Sequence, residues 1–267
     1  MTTLAADRSI QHADPSARAS VAPPEHYGLP AGYRQFAVNY TVDENRRPEH
    51  GEYWTPSRIA MSHRYQRHVY RWAARLVTKL GARSVLDVGC GLGTKLAEHI
   101  LPRCADVLGL DQASAVERAR ARCPGANFRV LDLDRPALRA DRTFDMILCV
   151  DVIEHLLDPD PVLRLIRSFA SARTLALFST PDRDRARGRD SMGGEKPEHV
   201  REWTVAEFDR FLRSRGFAPM RTRLLPQDDA NPRRLHAAER AFVEGRARLS
   251  ELSCQAVLCR VTPLVVG

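Results

Sequence analysis

The sequence predicts an α/β fold built around a mostly parallel sheet, and two observations support that prediction. The first is a glycine-rich loop at residues 89–93, which follows the apolar run 84–88 and precedes helix-forming residues. A strand, a loop and a helix in this order are typical of α/β units that hold a small molecule. The second is that short apolar runs and helical patterns then alternate along the chain, as they do around a parallel sheet.

The predicted core elements follow the glycine loop in order. Strands and helices alternate, with strands at residues 107–110, 128–131, 144–150 and 175–178 and helices at 113–122 and 161–170. A later helix begins at Thr204, where Glu207 completes a capping box three residues on. Residues 217–225 and 254–261 suggest two further strands, whose pairing the periodicity alone does not predict. The Arg-rich stretch 226–250 between them is predicted to be a helical insertion before the last strand.

The chain before the core divides into a tail and an arm. Residues 1–24 are rich in Ala, Ser, Pro and Asp and hold few large apolar groups, so we expect them to be disordered. Residues 25–81 form a helical N-terminal arm, aromatic at its start, which is expected to shape the acceptor side of the site. Within this arm one helix is predicted to start at Thr55 and to stop at Gly81. The core then spans residues 82–267.

Composition limits the functions open to the chain. Its 267 residues allow one large domain with additions, no apolar run is long enough to cross a bilayer, and the N-terminus lacks the apolar segment of a secretory signal. We therefore expect a cytoplasmic protein without a membrane partner. Six scattered cysteines with no CxxC pair are expected to be reduced there. The net charge of +8 is compatible with binding to nucleic acid, which we regard as the less favoured alternative to a small-molecule partner. The sequence leaves open whether the protein forms a homodimer.

The glycine loop predicts the kind of ligand. Gly89, Gly91 and Gly93 let a ligand approach the backbone, and the start of the next helix offers unpaired N–H groups to an anion. The dinucleotide fingerprint needs a further glycine where this chain has Thr94, and a pyrophosphate would be repelled by the carboxylate of Asp87. A ligand with an ammonium for Asp87 and a carboxylate for the helix start fits better. The methionine half of S-adenosylmethionine has both groups.

On these residues the chain resembles the class I S-adenosylmethionine-dependent methyltransferases. The resemblance implies a Rossmann-like, seven-stranded, mostly parallel sheet with helices on both faces and an antiparallel last strand. An acidic residue about 20 positions past the loop is expected to accept the ribose hydroxyls, and Asp111 is that residue, with helix N-capping as its alternative role. The resemblance also places a carboxylate against adenine, either Asp132 or Asp134. The full predicted cofactor set is Asp87, Gly89, Cys90, Gly91, Gly93, Asp111, Gln112, Asp132, Leu133 and Val150.

A second motif follows the strand at residues 144–150. Asp151, Glu154 and His155 are spaced to share one face of a short helix. They form either a capping box, with a histidine as general base, or three ligands of a divalent cation. His199, after the next strand, is the candidate fourth ligand. The arrangement resembles that of small-RNA terminal ribose methyltransferases and ubiquinone-pathway O-methyltransferases, which implies Mg²⁺ or Mn²⁺ as a second cofactor, although Asp151 replaces a usual Glu.

These motifs favour an O-methyltransferase that acts on a hydroxyl of a small molecule, such as a sugar, an aromatic compound or a natural-product intermediate. His155, His199 and Glu154 are the predicted catalytic residues. A histidine with a pKa near neutrality can remove the hydroxyl proton, or a cation can make that proton more acidic. Two alternatives stay open: an RNA ribose 2'-O-methyltransferase and a non-catalytic, cofactor-binding regulatory protein.

Overall fold

A computed structural model describes residues 21–36, 54–193, 196, 198–226 and 252–264. Three predicted segments therefore lie wholly or mostly outside the described residues. They are the first 20 residues of the tail, most of the aromatic stretch of the arm, and the helical insertion before the last strand. In the described part of the chain, no helix combines the length and the apolar character needed to span a bilayer.

The core is a seven-stranded sheet, as predicted. Its strands, in chain order, are β1 Ser84–Val88, β2 Asp106–Asp111, β3 Asn127–Val130, β4 Phe144–Val150, β5 Ala170–Pro181, β6 Phe217–Leu225 and β7 Cys254–Val261. Their order across the sheet is β3-β2-β1-β4-β5-β7-β6, and β7 is antiparallel to both of its neighbours. The strand order reverses between β1 and β4. Open α/β sheets bind ligands beside such a reversal, at the carboxyl ends of the strands.

Helices cover both faces of the sheet. They are α1 Pro56–Met61, α2 Arg67–Leu80, a π-helix Leu96–Ile100, α3 Ala113–Arg122, α4 Asp160–Ser168, α5 Arg183–Arg187 and α6 Val205–Ser214, with a 3-10 turn at Pro24–Tyr27. One apolar cluster joins α2, the π-helix and α3 to the face of β1 that carries Val85. Another joins α4, α6 and the N-terminal segment to the face that carries Leu86. Alternate residues of β1 therefore enter different cores.

The helix predicted to run from Thr55 to Gly81 is two helices, so that prediction is wrong. α1 ends before Ser62 and α2 starts after Gln66, which adopts a left-handed backbone with φ of 59°. Both predicted ends are confirmed. The Thr55 side chain accepts a hydrogen bond from the α1 backbone, and Gly81 closes α2 with φ of 62°. The break brings the connecting residues between the two helices to the cavity described below.

The N-terminal segment 21–36 is packed into the core. Tyr27 and Tyr33 are buried, the indole N–H of Trp203 donates to the Tyr27 carbonyl at 2.8 Å, and the Arg201 guanidinium lies 3.8 Å from the Tyr27 ring centroid. Residues 21–24, assigned by the sequence to the tail, include two partly buried side chains against this cluster. The described part of the arm that reaches the cavity begins at Trp54.

Candidate active site

A cavity of about 540 Å³ opens at the carboxyl ends of β1, β2, β3 and β4. Most of the residues predicted from the sequence line it. Those are Gly89, Cys90, Gly91, Asp111, Gln112, Asp132, Leu133, Val150, Asp151, Glu154, His155 and His199. Asp87 and Gly93 do not line it. The volume falls in the range of small-molecule and cofactor sites.

Packing contacts within the protein also require glycine in the loop. Gly89 has φ of 79°, and a Cβ there would collide with the Val152 side chain. A Cβ on Gly93 would lie 3.1 Å from the Phe128 ring and 3.2 Å from the Cys123 Cβ. Gly93 therefore allows the loop to pack closely against β3 and α3, which explains its position away from the cavity.

Asp111 ends β2 and supports the glycine loop. One carboxylate oxygen accepts a hydrogen bond from the Gly91 N–H at 2.7 Å, and the other accepts from the Gln112 N–H at 2.8 Å. The N-cap of α3 is Gln112, whose side chain makes no capping bond, so the alternative role of Asp111 as the N-cap is wrong. Burial raises the pKa of Asp111 to about 6. Each oxygen keeps a second lone pair that can accept from a ribose hydroxyl.

The two carboxylates proposed for adenine have different surroundings. Asp132 lines the cavity, and its Oδ1 accepts from the Asp134 N–H at 3.0 Å. Asp134 does not line the cavity, and its Oδ1 accepts from the Leu157 N–H at 2.9 Å. Asp134 therefore links the ends of β3 and β4, which leaves Asp132 as the carboxylate within reach of a ligand.

Asp87 is fully buried beneath the loop. The Tyr70 hydroxyl donates to its Oδ2 at 2.8 Å, while Oδ1 has no partner among the described residues. Burial raises the pKa of Asp87 to about 7, although the Tyr70 hydrogen bond and the nearby Lys95 ammonium favour the charged form. The structure does not bring this carboxylate to the cavity wall. Tyr70 and Lys95 do line the cavity, and both are polar neighbours of the Asp87 carboxylate.

Residues 151–155 do not form a helix, so the predicted capping box is wrong. Asp151 adopts a left-handed backbone with φ of 51°, its N–H donates to the Ser179 carbonyl at 3.0 Å, and its carboxylate accepts from the Ser179 hydroxyl. These bonds to β5 hold the chain in a turn as it leaves β4. They also keep Asp151 out of the group of potential metal ligands that forms beyond it.

That group consists of Glu154, His155 and His199. Their ligand atoms lie within 4.8 Å of one another, and the two imidazole rings are nearly perpendicular with centroids 4.8 Å apart. Nδ1 of His155 lies 2.7 Å from the Glu198 carbonyl oxygen, and Nδ1 of His199 lies 2.5 Å from Oε1 of Glu202. Both partners are acceptors, so each Nδ1 carries the hydrogen. In the neutral form of either ring, Nε2 has a lone pair that can take a proton or a cation.

The Glu154 carboxylate lies next to these nitrogens and is not stabilised by hydrogen bonds from the described residues. Its side chain is fully buried, and among the described residues neither carboxylate oxygen has a hydrogen-bond partner of good geometry. Burial and the Asp151 carboxylate raise the pKa of Glu154 well above its usual range. Burial and the neighbouring His199 lower the pKa of His155 to about 3. A divalent cation would satisfy the orphaned carboxylate and two neutral imidazoles together, so these residues fit a metal.

The sequence did not reveal the support of His199. Glu202, three residues later, is fully buried, and Arg187 donates two hydrogen bonds to it at 2.9 and 2.7 Å. Although burial opposes its charged form, hydrogen bonds from His199 and Arg187 lower the pKa of Glu202 to about 2. The Glu202 N–H donates to the Tyr33 hydroxyl at 2.9 Å. Only the spacing between His199 and Glu202 could have hinted at this contact.

The order of the strands and the cavity at their carboxyl ends define the class of the described core: it is a Rossmann-like methyltransferase domain. The chain belongs to the methyltransferase domain family, whose model matches residues 61–221. Asp111, the glycine loop and Asp132 provide acceptors and backbone room that suit the nucleoside half of the cofactor.

Known proteins similar to this chain share the fold or part of the sequence. Ubiquinone biosynthesis O-methyltransferase of Acinetobacter baylyi is 30% identical over 119 residues, 42% of this chain, and that of Bordetella avium is 31% identical over 119 residues. The chain spans about half the length of these curated relatives, 50% and 48%. An S-adenosylmethionine-dependent methyltransferase from Mesorhizobium loti superposes with a TM-score of 0.54 at 24% identity, covering 72% of this chain and 97% of its own. The methyltransferase domain of bacterial CtHen1-C gives 0.53 at 18% identity, covering 73% and 98%.

Proposed function

We propose that this protein transfers the methyl group of S-adenosylmethionine to a hydroxyl of a small molecule, with a divalent cation held by Glu154, His155 and His199. One observation supports this most strongly. Two imidazole rings and a buried carboxylate without a hydrogen-bond partner among the described residues meet on the wall of the cavity. Methyl transfer to carbon or to a neutral amine would not require that set. The names of the ubiquinone-pathway relatives point to oxygen as well.

The cofactor supplies an electrophilic methyl group on a sulfonium. The protein has to place a hydroxyl oxygen in line with that methyl and to remove its proton. His199 offers Nε2 for this proton, because its Nδ1 donates to Glu202. His155 does not have the pKa near neutrality expected of a general base: burial lowers its pKa to about 3, so its Nε2 suits a cation better than a proton. Alternatively, a cation on the same nitrogens would lower the pKa of a hydroxyl bound to it. Glu154 would then balance the charge of the cation.

The cavity favours a small acceptor. Its volume of about 540 Å³ must hold the reacting parts of both the cofactor and the acceptor. Aromatic rings of Trp54 and Tyr65 line it, and the Arg58 guanidinium pairs with Glu198 at 2.5 Å across it. A flat hydroxylated ring can pack on such aromatic walls while a hydroxyl reaches the histidines. A cavity of this volume suits a sugar or an aromatic unit better than a polynucleotide.

The test is methyl transfer from labelled S-adenosylmethionine to a panel of catechols, phenols and sugars, with products identified by mass spectrometry. Dialysis against a chelator should remove activity, and Mg²⁺, Mn²⁺, Fe²⁺ and Zn²⁺ should be compared in restoring it. His199→Ala should abolish both activity and metal binding. His26→Ala, which changes an exposed histidine paired with Asp160, is the matched control.

Three results would count against parts of the proposal. Full activity in chelator, with no metal found by elemental analysis, would leave a histidine general base as the mechanism. Methyl groups found only on nitrogen or carbon would contradict O-methylation. Activity on single-stranded RNA termini, with no small-molecule product, would replace the small acceptor with a ribose hydroxyl.

A further inference from the structure

Lys95 follows the glycine loop and lines the cofactor cavity. Its ammonium donates to the Ser62 carbonyl at 3.0 Å, and it lies 5.6 Å from the centroid of the Tyr70 ring. Among the described residues, the Ser62 carbonyl is the one hydrogen-bond acceptor that this ammonium contacts. An ammonium has three N–H donors, so two of them remain for a ligand in the cavity.

The surroundings of Lys95 make an additional anionic partner favourable. Burial lowers the pKa of Lys95, and the nearby carboxylates of Asp87 and Asp151 oppose that shift. Asp87 already accepts the Tyr70 hydroxyl, and Asp151 already accepts the Ser179 hydroxyl. Neither carboxylate is hydrogen-bonded to the ammonium. A partly buried cation without a hydrogen-bonded counterion is unfavourable, and a ligand carboxylate would stabilise it.

The element after the loop is a poor anion site by comparison. The sequence predicted that the helix start would bind the cofactor carboxylate, but the structure has a five-residue π-helix there, Leu96–Ile100. The N–H of Ala97 already donates to the Gly93 carbonyl. The helical stretch, residues 94–100, is short and therefore has a small dipole. The charge on Lys95 is therefore the stronger attraction for a carboxylate at this end of the cavity.

The other cations of the cavity wall are less suited to this role. Arg58 is already paired with the Glu198 carboxylate at 2.5 Å. Lys196 is exposed to solvent, where an ion pair contributes little. The remaining charged groups on the wall include the acids Asp111, Asp132 and Glu154, which would repel an anion. Lys95 is partly buried, lies beside the loop and has unused donors.

We propose that Lys95 binds the carboxylate of the methionine part of S-adenosylmethionine, and that it thereby sets which end of the cofactor lies against α1 and α2. This inference depends on the cofactor alone. It does not involve the acceptor or a metal, so it is independent of the proposed O-methylation. Its ligand class is an α-amino acid carboxylate attached to a nucleoside.

The experiment compares the affinities of the natural protein and its variants for three ligands. Calorimetry measures each affinity without acceptor or metal. The ligands are S-adenosylhomocysteine, its analogue without the carboxylate, and 5'-methylthioadenosine, which lacks the whole amino acid part. The natural protein should bind S-adenosylhomocysteine roughly 10- to 100-fold more tightly than the decarboxylated analogue, as expected for a charge-assisted hydrogen bond. In Lys95→Met this preference should nearly disappear, while 5'-methylthioadenosine binds as before.

Arg58→Met is the matched control, because it removes another cation from the same wall and should leave the preference intact. Three results would overturn the proposal. One is equal affinity of the natural protein for S-adenosylhomocysteine and for its analogue without the carboxylate. This comparison needs no variant, so it holds even if a variant fails to fold. Another is a Lys95→Met protein that loses the same factor for all three ligands, which would show a purely structural role. The third is a preference that vanishes in Arg58→Met and persists in Lys95→Met.

Discussion

Nδ1 of His199 lies 2.5 Å from Oε1 of Glu202, and both side chains are buried. Arg187 donates to both oxygens of the same carboxylate at 2.9 and 2.7 Å. The carboxylate therefore orients the imidazole ring and determines which nitrogen carries the hydrogen. Carboxylates that support metal-bound or catalytic histidines in this way raise the basicity of the other ring nitrogen.

Glu202→Gln should lower methyl transfer by roughly 10- to 100-fold, because the neutral amide no longer favours an Nδ1–H tautomer of His199. Affinity for S-adenosylhomocysteine should stay unchanged, since Glu202 does not line the cavity. Both are measured on purified protein, with an acceptor identified in the panel assay. Glu207→Gln is the control, because Glu207 is also buried and paired with an arginine, Arg183 at 2.8 Å. Equal losses of activity in both variants would indicate a general effect on the fold.

Asp111→Ala should weaken cofactor binding by roughly 1 to 3 kcal/mol through lost hydrogen bonds to the ribose and to the Gly91 N–H. The sheet should remain folded, because the residue ends its strand. Calorimetry with S-adenosylhomocysteine measures the change. Asp106→Ala, at the opposite end of β2 and paired with Arg142, should bind the ligand normally. Unchanged affinity in Asp111→Ala would refute its role as the ribose ligand.

The pH dependence of stability should reveal the raised pKa of Asp87. Its pKa rises from 3.8 in the unfolded chain to about 7 in the folded protein, mainly through burial. The folded state therefore holds the proton more tightly, and the contribution of Asp87 to the free energy of unfolding falls as pH rises from 3.8 to 7, by at most about 4 kcal/mol. Asp87→Asn should remove this decline.

Chemical denaturation of the ligand-free protein at pH 4 and pH 8 tests that expectation. Asp87→Asn should match the natural protein at pH 4 and exceed its stability at pH 8, since an amide at this position never carries the buried charge. Asp106→Asn, at an exposed carboxylate, should keep the pH dependence of the natural protein. Identical pH dependence in the natural protein and in Asp87→Asn would show that Asp87 titrates normally.

Deletion of residues 1–20 and deletion of residues 1–36 should have different effects on stability. Deletion of residues 1–20 is expected to leave stability and cofactor binding unchanged. Deletion of residues 1–36 should cost more than about 3 kcal/mol, because it removes the buried rings of Tyr27 and Tyr33 and leaves the Trp203 indole N–H without its acceptor. Urea denaturation of both proteins measures this. Equal stability of the two would mean that the segment does not support the core.

The sequence predicted the sheet well because its signals are local. The runs Phe144–Val150, Phe217–Leu225 and Cys254–Val261 are strands with the predicted bounds, and the capping box at Thr204 is present. In each case the pattern and the structure depend on residues close in the chain. The same is true of Gly81, whose left-handed backbone ends α2.

Predictions that needed the path of the chain in space succeeded less often. The sequence could not show that Gln66 breaks the long helix, or that Ser179 on β5 holds Asp151 in a turn. The capping box expected at Asp151 fits the local spacing, but bonds to a strand 28 residues away override it. Tertiary contacts of this kind outweigh local propensity whenever they satisfy buried polar groups.

By itself, the sequence determined the class of the protein and most of the cavity wall, because parallel strands must bring their carboxyl ends to one edge. Only the tertiary structure decided which charges face the cofactor. It buried Asp87 behind Tyr70, brought Lys95 to the wall, and placed Glu202 behind His199. Such choices depend on burial and on partners far apart in the chain, since the cost of an unpaired charge is set by the three-dimensional surroundings rather than by neighbours in sequence.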